Sequence, residues 1–550
     1  MSKNISYLSG RKGLENNLFE RIGEASENNG TPSKEDLKTL ADEFLVGKAN
    51  AYGATTFYDF LKPENKGKEV YLCNGSACLC AGTQDELKKQ IEENVSADKI
   101  GHMACLGRCH ENGAFNYNGR NYSNLSKEEI KELFKNPFVQ KDRYKVGVIG
   151  KQILTEKTGE IKDYYQILEK ALKDQSPEEV LNNIKLSGLR GRGGAGFPMG
   201  FKLESAKNTP ADTRFIVCNA DEGDPGAFSD RYIMEERPHS LLLGMMLAGY
   251  ATNAEWGVFY IRAEYPESVT IIEDAVADLD REGFLGENIL GSGFNFYFKI
   301  IKARGAYICG EETALLSSIE GQRPEVRIRP PYPTQEGLFN LPTVVNNVET
   351  LACVPFIIAN GGEAYEAIGT EKSTGTKLVS LNGFFNNPGL YEVEMGTPFR
   401  RVVDELGGGF KSPVKALHVG GPLGGLVPLS KIDDLTLDFE SFLENGLLLG
   451  HASVICIPES FPMIEYLEHI FEFTADESCG KCFPCRLGSV RGQELLYKSR
   501  TSDYKIDREL FDDLLDTLEQ GSLCALGGGL PLPVKNALMY FEDELKEYFN

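Results

Sequence analysis

Apolar residues recur at helical spacing from Lys34 to Leu45, with Ser33 placed to cap the first turn, so this stretch predicts an amphipathic helix. Residues 1–65 read as a helical lead-in, with a polar loop at Asn28-Asn29-Gly30-Thr31-Pro32. After the turn-rich Pro63-Glu64-Asn65-Lys66-Gly67-Lys68, the run Glu69-Val70-Tyr71-Leu72 predicts a strand that leads straight into Cys73. It opens a cysteine-bearing unit, 66–138, that closes around the charged helix Lys127 to Lys135. Residues 139–370 alternate strand and helix patterns, as an α/β layer structure requires. Residues 371–455 change to short strands broken by Asn-Gly and Gly-Gly-Gly turns, including Lys377-Leu378-Val379-Ser380-Leu381, and 456–550 read as a helical bundle interrupted by two cysteine loops. The fold class is therefore α/β multidomain, with no internal repeat.

At roughly 150 residues per domain, a chain of 550 residues predicts several cores rather than one. With 25% charged and 41% hydrophobic residues the composition is ordinary globular, which excludes a disordered or collagenous chain. The 58 Lys and Arg against 81 Asp and Glu give a net charge of −23, a field that repels phosphate backbones and anionic lipid, so no nucleic acid is expected. The longest apolar stretches, such as Leu241 to Tyr250, fall short of the roughly 20 residues a spanning helix needs, so no membrane span is expected. The start, Met-Ser-Lys-Asn-Ile-Ser, has no apolar signal core, which predicts a cytoplasmic protein. In that reducing compartment, 13 cysteines argue for metal or redox chemistry rather than disulfides.

Cys479-x2-Cys482-x2-Cys485 places three thiolates in one short loop, and Cys524 supplies a distant fourth. That set suits the corners of one isolated [4Fe-4S] cluster, with a structural zinc as the alternative. Cys73-x4-Cys78 and Cys105-x3-Cys109 lie on two separated glycine-bearing loops, an arrangement for a [2Fe-2S] rhomb with each pair on one iron; zinc is the stronger rival here. Cys218, Cys309, Cys353 and Cys456 read as small buried hydrophobes, and Cys80 stays unassigned.

Gly191-Arg192-Gly193-Gly194-Ala195-Gly196-Phe197 matches G-x-G-x-x-G, but the spacing of Val180, Leu181 and Ile184 puts a helix before it, where a dinucleotide fingerprint follows a strand. Bare amides beside Arg190, Arg192 and Lys202 still suit a phosphate; a flexible surface loop is the plain alternative. The strand Phe215-Ile216-Val217-Cys218 ends in Asn219-Ala220-Asp221-Glu222-Gly223-Asp224, either a solvated acidic turn or cation site, or a ligand-binding strand end. Gly305 to Thr313 repeats the arrangement, strand-like and then acidic at Glu311 and Glu312.

Residues 187–202, 217–239, 305–350 and 478–488, with Cys524, resemble the NADH-oxidising flavin subunit of respiratory complex I and its soluble relatives in hydrogenases and formate dehydrogenases. Ala51-Tyr52-Gly53-Ala54-Thr55-Thr56-Phe57-Tyr58 and the four cysteines from Cys73 to Cys109 resemble the small [2Fe-2S] subunit of the same enzymes. The resemblance implies a thioredoxin-like [2Fe-2S] domain at 66–138 and a Rossmann-like FMN- and NAD(H)-binding domain at 139–370. A β-grasp (SLBB-like) domain at 371–455 and a helical [4Fe-4S] domain at 456–550 follow. FMN would be held by Gly191, Arg192, Gly193, Gly194, Ala195, Gly196 and Lys202, with Asn219, Asp221, Tyr307, Asn346 and Asn347. Phe197 and Tyr332 would sandwich the adenine, and Glu222 and Asp224 would lie by the nicotinamide and flavin. Glu312 would bond the adenosine ribose, with Gly310, Glu311 and Arg329 in the same site. The resemblance makes Cys73, Cys78, Cys105, Cys109, Cys479, Cys482, Cys485 and Cys524 the metal ligands. Ser205 stands where the complex I protein carries another aromatic, and Arg329 where it often has Lys.

The implied function is that of an NAD(H):acceptor oxidoreductase (diaphorase) subunit with FMN, NAD(H), one [4Fe-4S] and one [2Fe-2S] as cofactors. No side chain is expected to act as a catalytic acid or base. The expected partners are other redox subunits of a soluble, electron-bifurcating complex (an iron-sulfur subunit and a hydrogenase or formate dehydrogenase catalytic subunit) together with ferredoxin. An NADP(H)-specific version, a flavin-free electron-transfer scaffold and a zinc-stabilised nucleotide-binding protein are the alternatives.

Overall fold

The computed structural model describes residues 13–15, 17–26 and 30–550. The chain start read for a targeting signal, and loop residues Asn28 and Asn29, lie outside them. Two compact units form, each from separated stretches: one from the lead-in through Glu69 with Gly150–Gly223 and Ser229–Leu378, the other from Val70–Ile149, Asp224–Phe228 and Val379–Asn550. Among the described residues no helix is long and apolar enough to cross a membrane.

The first unit is built on a parallel sheet whose strands lie in the order Tyr297–Lys302, Trp256–Ile261, Phe215–Ala220, Thr343–Asn347. The chain moves outward one way from Phe215–Ala220 and then returns to its other side, so a switch point lies between Phe215–Ala220 and Thr343–Asn347. The apolar run read from Leu241 to Tyr250 lies in the helix Pro238–Thr252, buried nearly all round. Its Gly244 admits Leu351 O so closely that a Cβ would not fit. The lead-in helix Lys34–Glu43 is closed by a reciprocal cap, Asp36 N to Ser33 Oγ at 3.1 Å and Ser33 N to Asp36 Oδ2 at 2.9 Å. The lead-in belongs to this unit because Phe19 packs on Tyr58 and Tyr260, and Tyr58 bonds Ser318 Oγ at 2.8 Å. Gly305 to Cys309, expected as a strand, differs: the strand ends at Lys302, Gly305 turns at φ +80°, and Tyr307–Gly310 forms a 3-10 turn.

The second unit contains a four-stranded sheet in the order Ile100–Met103, Val70–Cys73, Phe115–Tyr117, Arg120–Tyr122, over a core that includes Leu72, Leu87, Phe115 and Ile130. A six-stranded sheet follows, ordered Gly425–Pro428, Val414–Val419, Ser453–Pro458, Thr376–Leu381, Gly389–Glu394, Lys145–Ile149. Lys145–Ile149, grouped by sequence pattern with the α/β segment, thus pairs with Gly389–Glu394. The C-terminal helices Met463–Asp476, Phe483–Thr501, Arg508–Gly521 and Pro531–Tyr540 enclose a core with Ile470, Phe471, Leu515 and Val534.

Candidate cofactor and cluster sites

Cys73 ends the strand Val70–Cys73, and its parallel register, Cys73 opposite Met103, starts the loop of Cys105 and Cys109 at the same sheet edge. Helix Ser76–Ala81 adds Cys78, and all four thiols are buried. Cys105 and Cys109 sulfurs lie 3.6 Å apart. Neighbouring thiols, Cys105 foremost, and then burial push Cys73 and Cys109 well above the ordinary thiol range. Four crowded buried thiols are costly to ionise without a cation, so the donor set fits a thiolate-bound metal centre. Cys80 packs with Ile457, Met463 and Tyr466, where burial raises its pKa; it is a core residue.

The second set gathers at helix ends. Cys482 caps Phe483–Thr501, Cys485 lies in its first turn, and Cys524 caps Ala525–Gly529. Gly527 brings the Cys524 turn against Cys485, whose Cβ would lie 2.7 Å from a Cβ at 527. Gly480, at φ +77°, turns the chain between Cys479 and Cys482. Ser478 Oγ lies 3.3 Å from Cys485 Sγ, and burial pushes Cys485 up to about 11.

At the switch point, register sets Cys218 opposite Asn346 and Asn219 opposite Asn347. The loop Gly191–Phe197 is closed by Gly191 N to Phe197 O and Met199 N to Leu189 O, both 2.9 Å, and Gly193 lies against Asn347, where a Cβ would come within 2.9 Å. Gly193 and Ala195 are exposed. Asn219 Nδ2 donates to Gly310 O at 2.7 Å, which ties the strand end to the Tyr307–Gly310 turn, and Tyr307 covers Gly223 so closely that a Cβ would meet it at 2.6 Å. The buried Asn346 Nδ2 has no partner among the described residues. A glycine loop closing on Asn347 and an unsatisfied buried amide on the adjacent residue of the same strand end fit a polar planar ligand such as a flavin.

The charged residues divide. Lys202 Nζ donates to Val345 O at 3.0 Å and to Glu312 at 3.1 Å, while Arg329 holds the other oxygen of Glu312 at 2.9 Å. Glu311 caps the helix Glu312–Ile319, accepting from Thr313 N and Ala314 N at 2.9 Å. Glu222 accepts from Asp230 N, Arg231 N and Tyr265 OH at 3.0 to 3.2 Å, so it anchors the start of Ser229–Glu236. The Arg192 guanidinium is buried against Tyr365 OH and Thr374 O, which leaves only its main chain on the loop side. Asp221 is buried, and Asp224 groups with the second unit, 3.3 Å from His451 Nδ1. Phe197 and Tyr332 are 45% and 53% exposed, as rims of an open cleft are.

Sequence reasoning missed Phe201, edge-on to Phe197 at 5.6 Å; its i, i+4 spacing across the helix start was the available signal. It also missed Asp230, which bonds Asn347 Nδ2 at 2.6 Å and whose carboxyl is pushed well up by burial and then by Glu222 and Glu349. The buried pair Lys377–Glu349 carried no sequence signal.

Residues 184–356 match the family described as Nuo51 FMN-binding domain. Residues 465–548 match the NADH-ubiquinone oxidoreductase-F iron-sulfur binding region, and 6–137 the thioredoxin-like [2Fe-2S] ferredoxin. The chain is 42% identical to the F 2 subunit of NADH-quinone oxidoreductase of Rhizobium meliloti (strain 1021) over 383 residues, 69% of this chain and 91% of that one. It is also 42% identical to the NADP-reducing hydrogenase subunit HndC of Solidesulfovibrio fructosivorans, over 70% of this chain and 78% of that one. A solved NAD+-reducing [NiFe]-hydrogenase in the H2-reduced state superposes with a TM-score of 0.85 at 27% identity, covering 98% of this chain and 93% of its own.

Proposed function

The chain belongs to the family of the NADH-quinone oxidoreductase F subunit, a flavin- and iron-sulfur-dependent NAD(H) dehydrogenase, and from that premise we propose that it is the diaphorase component of a soluble redox complex. Bound FMN would supply the conversion of a hydride's electron pair into single electrons for the [2Fe-2S] and [4Fe-4S] centres. The observation that carries the proposal is the end of the switch-point strand, where the glycine loop closes on Asn347 through Gly193 and the adjacent Asn346 keeps a buried Nδ2 without a partner among the described residues.

The exposed main chain of Gly193 and Ala195 would hold the flavin phosphate, and Asn219, Asp221, Tyr307 and Asn346 would surround the ring. Phe197 and Tyr332 would sandwich adenine. Glu312 would accept the ribose hydroxyls while Lys202 and Arg329 hold its carboxylate in place. No acid or base is needed from the chain; its residues bind, orient and exclude water.

An iron-sulfur subunit, a hydrogenase or formate dehydrogenase catalytic subunit, ferredoxin and electron bifurcation belong to the same proposal. Their support is the likeness to a hydrogenase subunit and the joining of a thioredoxin-like [2Fe-2S] region to the flavin region in one chain. Cytoplasmic location is proposed because 13 cysteines, eight of them assigned to the clusters, suit a reducing compartment. A second reading, NADP(H) as the nucleotide, is favoured by Arg329 at 2.9 Å from Glu312, which offsets the carboxylate that would repel a 2′-phosphate. Anaerobic titration with NADH and, separately, NADPH, following flavin absorbance and cluster spin signals, tests both. Bleaching by NADH is expected; preferential bleaching by NADPH selects the second reading, and a colourless zinc protein overturns the first.

A further inference from the structure

The sulfur of Cys109 receives a hydrogen bond from far along the chain: Gly226 N lies 3.2 Å from Cys109 Sγ, and both are buried. Two further amides at these cysteines are local, Gly75 N to Cys73 Sγ and Gly107 N to Cys105 Sγ, each at 3.4 Å. Gly226 adopts φ +102°, and a Cβ there would meet Ile455 Cγ1 at 2.8 Å, so both the backbone and the close approach require glycine. Ile455 packs with Ala77, Cys105 and Cys109, which keeps water from the bond. The donor segment is itself held, Ala227 N to Asp224 O at 3.0 Å and Phe228 N to Ser380 Oγ at 3.4 Å.

We propose that Gly226 is a positioning residue for the [2Fe-2S] centre, its amide setting that centre's reduction potential. The proposal rests on Cys73, Cys78, Cys105 and Cys109 being the cluster ligands. Reduction adds negative charge to the ligand sulfurs, and an N–H dipole aimed at one of them in a dry site stabilises the reduced form more than the oxidised. The potential is therefore raised. Because the donor sits on a segment of its own, the bond can be weakened while the four ligands and both local amides stay in place.

The test uses the full-length, cofactor-loaded protein and three variants: Gly226→Ala, Ile455→Ala and the double variant. Gly226→Ala pushes the amide off the sulfur, and Ile455→Ala makes room for the added methyl. At fixed poise Gly226→Ala is expected to cut the ratio of reduced to oxidised [2Fe-2S] about fivefold, or ~40 mV at 59 mV per tenfold for one electron, with the [4Fe-4S] midpoint unchanged. The double variant should regain only part of that loss relative to Ile455→Ala alone, because φ +102° still strains any side chain at 226. Electron–nuclear double resonance on protein carrying 15N-glycine should detect three coupled glycine nitrogens in the wild type, from Gly75, Gly107 and Gly226, and two in Gly226→Ala. A loaded Gly226→Ala protein at the wild-type potential overturns the proposal, as do only two coupled nitrogens in the wild type; that count decides alone if the variant fails to load. A wild-type protein with no [2Fe-2S] spin signal overturns the cluster reading instead.

Discussion

Replacing Arg192 with Met separates two roles that its place in a glycine loop confuses. The guanidinium donates to Tyr365 OH at 3.1 Å and to Thr374 O, while the main-chain N donates to Thr350 Oγ1 at 2.8 Å. Two bonds from a charged donor are worth about 1.5–3 kcal/mol each, so roughly 3–6 kcal/mol is lost. Part returns, because Nε and Nη1 are buried without partners among the described residues, and a cation so placed carries a desolvation cost. A net loss of about 2–4 kcal/mol remains, and at about 2 °C per kcal/mol for a large domain the transition should fall by roughly 4–8 °C. Scanning calorimetry on FMN-stripped protein is the decisive assay, since the bonds concerned are within the protein. An unchanged transition in the stripped protein together with FMN affinity weakened about a hundredfold, some 3 kcal/mol, would refute the reasoning and return Arg192 to the phosphate.

Glu312→Gln removes the carboxylate shared by Lys202 and Arg329; KM for NADH should rise about tenfold with kcat unchanged, and the ratio of kcat/KM for NADPH over NADH should increase, measured with an artificial acceptor. His418 and His469, held neutral by burial with pKa lowered from 6.5 to about 4, contribute stability that is complete above pH 6.5 and lost as the pH falls to 4, roughly 3 kcal/mol each. His418→Gln and His469→Gln should flatten that slope in acid-unfolding curves, and an unchanged slope counts against neutral burial. Cys524→Ser should abolish the [4Fe-4S] spin signal while FMN and [2Fe-2S] remain, whereas Cys80→Ser should keep both clusters and lose only about 1–2 kcal/mol of stability, read by iron analysis and thermal melts.

Short-range signals were legible. Ser33 forms the reciprocal cap at its helix start, the strand running into Cys73 exists, and a helix, Pro177–Leu186, precedes the glycine loop as the spacing of Val180, Leu181 and Ile184 requires. What pattern could not give was partnership across the chain. Asp230, Glu349, Lys377 and Arg192 look like surface residues because charge is ordinarily solvated; they are buried because each meets a partner far away in sequence, such as Glu349 for Lys377. The lead-in was unplaceable for the same reason, since Phe19 and Tyr58 find Tyr260 and Ser318 only after folding.

The two adjacent asparagines show how those hidden partners bear on the site. Successive strand residues face opposite ways, so Asn346 and Asn347 cannot do the same work. Asn347 spends its carboxamide on the protein: Oδ1 accepts from Glu349 N at 2.9 Å and caps the helix Val348–Ala352, while Nδ2 donates to Asp230. Glu349 is in turn fixed by Lys377 and by Leu378 N at 2.9 Å. Asn347, with Gly193 pressed against its Cβ, therefore fixes where the glycine loop can lie. Asn346 keeps a buried N–H without a partner among the described residues, a state that costs about 1–3 kcal/mol unless a ligand accepts from it. Of the pair the sequence could only name together, Asn347 fixes the loop, and Asn346 is the one that the proposed flavin would meet.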